Sequence, residues 1–73
     1  MNPNNVPLKD FIRFLESKGC KMIRHHKGHY IFSHRNCTRP IILQDHIDPV
    51  PLVVIKSNLR MLELTLKEVR EFK

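Results

Sequence analysis

Apolar positions along the chain follow two different rhythms, separated by turn residues. In VPLKDFIRFLESKG, Leu8, Phe11, Ile12 and Leu15 recur at the three- and four-residue spacings of one helical face. Lys9, Asp10, Arg13 and Glu16 take the other side. Pro7 suits the first turn and Gly19 the position just past the end. Residues 1–6 read as a loose lead-in. The rhythm then shortens. CKMIRHH and HYIFSH are brief runs with β-branched and aromatic residues, divided by a glycine-containing turn, which is a hairpin signal. After RNCT, the compact run PIIL fits a third strand. Pro40 belongs at its start or on an edge, because it cannot donate to a ladder.

DHIDPVP reads as a connecting loop, with Val50 biased away from helix by the following proline and Pro51 fit for a first turn. From there Leu52, Ile55, Leu59, Leu62, Leu66 and Val69 form an amphipathic stripe. One long helix to about residue 71 satisfies it. So does a break near Glu63, with Thr65 as N-cap and Glu68 completing a capping box. No glycine marks a break, and both remain open. The expected class is α+β, in the order α-β-β-β-α: a three-stranded antiparallel sheet with helices on one face. Double-stranded-RNA-binding domains share this order.

The 73 residues suffice for a single domain with one thin core, residues 1–73, and 41% apolar residues indicate a folded chain. No apolar run approaches the roughly 20 residues needed to span a bilayer. The polar start MNPNNVP lacks a signal-peptide pattern, so a cytoplasmic location is expected. Thirteen Lys and Arg against seven Asp and Glu give a formal charge of +6. That excess favours a polyanionic partner, most simply nucleic acid; an acidic protein or an anionic membrane would also satisfy it. Cys20 and Cys37 are too few for a disulfide framework and are expected as free thiols.

Four of the five histidines fall within RHHKGHYIFSH, residues 24–34. A zinc site drawing on His26, His29, Cys37 and His46 has acceptable donors, but no CxxC, HxxxH or HExxH spacing supports it. Cys37 has no identifiable partner for nucleophilic chemistry. Arg24, Lys27 and Arg35, with His25, His26 and His34, suit phosphate contacts, and a solvated basic edge is the plainer alternative. Tyr30 either stacks on a base or packs in the core. RNA carries its own nucleophile, the 2′-hydroxyl. One histidine as base or acid beside cations is therefore a minimal ribonuclease.

From Gly19 onward the chain resembles the HicA (YcfA-like) family of bacterial messenger-RNA interferase toxins. Gly19 stands at the helix end, Arg24 in the first strand, and His29 at the family's catalytic histidine, followed by Tyr30, Ile31 and Phe32. His46 follows the third strand, Ile55 and Leu59 lie on the second helix, and LTLKE at 64–68 resembles the closing motif. The family's Gly-Ser/Thr-His is Lys27-Gly28-His29 here, without the hydroxyl. Glu63 replaces a glycine between the last helices, which favours one long helix. Asn58 replaces a helix-two isoleucine, which suggests a more exposed position.

The resemblance implies the toxin half of a type II toxin–antitoxin pair. It would be a metal-independent endoribonuclease that cleaves messenger RNA and needs no cofactor. His29 would be catalytic, with RNA contacts expected at Arg24, His26, Lys27, Gly28 and Tyr30. A HicB-type antitoxin would cover the His29 face. The alternatives are a non-catalytic RNA-binding domain or impaired toxin homologue, and a protein that binds partners through its C-terminal stripe.

Overall fold

The computed structural model describes residues 1–35 and 37–73. Asn36, inside the expected RNCT turn, lies outside the described residues. The element order is α1 (Leu8–Ser17), β1 (Lys21–His26), β2 (His29–Ser33), β3 (Ile41–Gln44), α2 (Leu52–Leu62) and α3 (Leu66–Glu71). Helix α1 starts directly after Pro7, and the Asp48 carboxylate accepts the Leu8 N–H at 2.9 Å, satisfying one of its orphan donors. At its other end Gly19 adopts φ +91°, while Gly19 N–H and Cys20 N–H donate to the Glu16 and Leu15 carbonyls. That pair of bonds is a Schellman motif, and the left-handed position favours glycine. The buried face is Leu8, Phe11, Phe14 and Leu15. Phe14 rather than Ile12 completes it, since Phe14 stacks on Phe11 and meets Phe72 edge-on.

The three strands form one antiparallel sheet in the order β1-β2-β3. Cross-strand partners point to the same face, so the register sorts the residues. Phe32 opposes Met22 and Ile41, and Tyr30 opposes Leu43. Phe32, Ile41 and Leu43 are buried, so this face meets the helices. The other face carries Arg24 opposite Ile31, His26 opposite His29, and His29 opposite Gln44. A bulge between Met22 and Arg24 leaves Ile23 exposed. Strand β1 is exposed along nearly its whole length. The α+β class and the three antiparallel strands therefore stand as expected.

Two expectations change and one open alternative is decided. The lead-in is docked: Val6 is fully buried, its carbonyl accepts Val50 N–H, and the Met1 amino group donates to the Arg70 and Phe72 carbonyls. The C-terminal stripe, for which one long helix and a break near Glu63 both stood open, is two helices. Glu63 adopts φ +58°, and Glu63 and Leu64 N–H donate to the Arg60 and Leu59 carbonyls, repeating the bond pattern at Gly19 without a glycine. Thr65 and Glu68 then form the capping box that starts α3. Asn58, finally, is buried rather than exposed, and its Nδ2 has no hydrogen-bond partner among the described residues. It occupies the inward stripe of α2 beside Ile55, Leu59 and Leu62.

No helix among the described residues is long and apolar enough to cross a membrane.

Candidate functional site

The hairpin connecting β1 and β2 is a two-residue turn, with Lys27 at φ +49° and Gly28 at φ +82°. Two consecutive left-handed residues define a type I′ turn, whose twist matches the flanking strands. Lys27 carries a strain that glycine or asparagine would avoid, on the order of 1–2 kcal/mol. The turn is closed by the His26–His29 pair, so both imidazoles start from adjacent positions on the open face.

His29 is exposed, and its Nδ1 lies 3.1 Å from the Lys27 carbonyl. A carbonyl only accepts, so Nδ1 holds the proton and a neutral ring presents Nε2 as a base. Hence the strained turn residue supplies both a cation and the carbonyl that orients the histidine. Arg24 and His26 lie on the same face of β1. No strand residue is acidic, so the strands themselves bring only positive charge to this face.

Beside this face lies a cleft of about 310 Å³, lined by His29, Ile42, Gln44, Ile47, Pro51 and Val54, with Leu8, Leu43 and Val50 at its base. It forms where the loop after β3 turns back past the β3 edge to begin α2. His29 is the one titratable residue in its lining.

On the opposite side of the hairpin, Asp45 fastens the tip. Its N–H donates to the Gly28 carbonyl at 2.9 Å, and its carboxylate accepts His25 Nε2 at 2.7 Å. His46 Nδ1 lies 3.5 Å from the other carboxylate oxygen. The hydrogen bond from His25 is the main cause that holds the Asp45 carboxyl below its ordinary value; partial desolvation opposes it and His46 adds to it.

The residues expected to contact RNA thus separate. Arg24, His26, Lys27, Gly28 and His29 gather at the hairpin and its open face. Tyr30 does not join them: strand alternation turns it to the helix-facing side, where it is half-buried and stacks on His25 at 4.2 Å. His34 lies at the far end of β2, against the Lys18 carbonyl. His46 is tied to Asp45. Gln44 and the cleft escaped sequence reasoning, although strand alternation placed Gln44 outward; the cleft walls come from separate segments.

The thiols are sheltered. Burial, with a smaller effect of Cys37, pushes the Cys20 thiol up to about 11, and the half-buried Cys37 donates to the Met61 carbonyl. Among the described residues no group of three or more His, Cys, Asp or Glu side chains could hold a metal ion. No family model, curated protein or solved structure matches the chain.

Proposed function

We propose that the open sheet face binds RNA and that His29 cleaves it, in the manner of a HicA-like messenger-RNA interferase on a double-stranded-RNA-binding-like scaffold. The observation that carries this reading is the orientation of His29: its Nδ1–H is bound to the Lys27 carbonyl on a basic face without carboxylates. The neutral Nε2 takes the proton of a 2′-hydroxyl, and O2′ attacks the adjacent phosphorus. The bond from phosphorus to the 5′ oxygen breaks, and that oxygen takes a proton from the imidazolium of His26, across the ladder. The products are a 2′,3′-cyclic phosphate and a 5′-hydroxyl end. Arg24 and Lys27 offset the charge that grows on the phosphate. An acidic antitoxin of the HicB type would complement and cover this face.

The test is cleavage of messenger RNA by purified chain, with chelator present throughout. His29→Ala is expected to slow cleavage by about 10²–10⁴-fold while circular dichroism stays unchanged. A base and an acid predict a rate that rises and then falls with pH, and His26→Ala should remove the fall. Full activity in His29→Ala, or loss of wild-type activity to chelator, would refute the mechanism. One observation favours binding without cleavage: the residue before His29 is Gly28, which brings no hydroxyl to the phosphate. That reading predicts salt-sensitive binding with RNA intact after long incubation.

A further inference from the structure

The cleft beside His29 has no role in the proton transfers just described, yet its composition and placement restrict what can fill it. Its walls are aliphatic side chains of Ile42, Ile47, Pro51 and Val54, and Ile42 stays 47% exposed although it lies on a strand. Only His29 and Gln44 bring polar side chains to it, and they are direct cross-strand partners. The cleft opens on the β3 side of His29, while Arg24, His26 and Lys27 lie on the β1 side. A ligand that spans His29 must therefore carry negative charge on one side and a compact apolar body on the other. Single-stranded RNA has that character: phosphates along the backbone and flat bases free to leave the stack. A duplex does not, because its bases are paired inward.

We infer that this cleft seats one unpaired base of single-stranded RNA beside His29, and that the Gln44 amide reads the edge of that base. The inference rests on the RNA-binding reading of the open face and adds a substrate form and a base-contacting residue to it. At about 310 Å³ the cleft falls at the small end of ligand sites, enough for a single heterocycle. A glutamine amide offers a donor beside an acceptor. That pair engages the N6/N7 edge of adenine and, in an unpaired uracil, the N3–H/O4 edge, so the amide holds a base edge without choosing between these bases. Ordering the base there holds its sugar against His29, so the 2′-hydroxyl that reacts belongs to the seated nucleotide.

The experiment measures binding of wild-type chain to 2′-O-methyl RNA, which lacks the internal nucleophile. Three ligands are compared: a short adenine-rich single strand, the same strand abasic throughout, and the duplex of the first with its complement. The first is expected to bind about tenfold or more tightly than the other two, the usual scale of one read base. Val54→Trp, which fills the cleft, should abolish that advantage and leave the salt-dependent binding common to all three. Gln44→Ala alters an exposed side chain and should narrow the gap between the base-bearing and abasic strands. It decides alone if circular dichroism shows that Val54→Trp has lost the fold. Equal affinity for all three ligands, or an unchanged preference in both variants, overturns the base seat and leaves the basic face standing. No binding of any ligand at low salt overturns both.

Discussion

The two faces of the sheet are made by the same three strands and obey different rules. On the helix side Phe32, Ile41 and Leu43 are no more than 2% exposed. On the other side their neighbours His29, Ile42 and Gln44 meet solvent. Period-two alternation delivers both faces from one chain, but only the first depends on burial for its stability. The second can therefore concentrate cations and two histidines at almost no cost to folding, and a ligand can use them. The contrast predicts opposite consequences for similar truncations. Phe32→Ala is expected to lose about 3–5 kcal/mol, enough to threaten a domain of this size. Ile42→Ala, one residue on from Phe32's partner Ile41 and on the opposite face, should change stability by less than about 1 kcal/mol. Urea midpoints would measure both, and comparable losses would break the distinction.

Asn58 sharpens the same contrast from the core side. A buried Nδ2 without a partner forfeits its hydration and regains nothing. Asn58→Leu should therefore raise stability by about 1–2 kcal/mol, because it replaces an unsatisfied amide with an apolar group of similar size. Thermal unfolding provides the readout. A fall in stability would mean that the helix side tolerates polar groups after all.

The parts of this architecture that the sequence disclosed are those written in local spacing. Helix α1, the hairpin and β3 lie where the rhythms of three-to-four and two put them, and Gly19 announces the end of α1 by its chemistry. Glu63 ends α2 with the same backbone bonds and no glycine, so the capping box at Thr65 and Glu68 made the break only one of two open alternatives. Its left-handed conformation is imposed by packing on both sides: Leu59 and Leu62 before it and Val69 after it all face one core. The lead-in was illegible for a related reason, since Val6 and Met1 are held by residues far along the chain. At the candidate site the hairpin placed Arg24, His26, Lys27 and His29 together, because a two-residue turn fixes register. Alternation also removes Tyr30 from that group. The cleft and the Asp45 clasp join β3, its following loop and β1, and no spacing within one segment encodes them.

Asp45 links the two sides at the hairpin tip and yields the smallest effect. Its N–H holds the Gly28 carbonyl, and its carboxylate holds His25 on the side away from His29. The His25 bond keeps the folded-state carboxyl below its ordinary value of roughly 3.9. A depressed folded value contributes stability that is fully present above the unfolded value and is lost as pH falls through the folded one. Acidification below about pH 4 should therefore loosen the tip before the core, as the protonated carboxyl releases His25. Glu68 is depressed too, chiefly by its bond from the Thr65 backbone N–H and then by Lys18, so α3 loosens in the same range, at a distance from the hairpin. Amide exchange separates the two: the amides of residues 25–30 should lose protection on acidification while those of Phe14 and Leu15 keep theirs. Asp45→Asn should show the tip's loss already at neutral pH and remove its acid dependence, leaving the α3 dependence in place. A tip whose protection is the same in both proteins at every pH would show that the hairpin turn stands by its own geometry, and that the open face owes nothing to the clasp behind it.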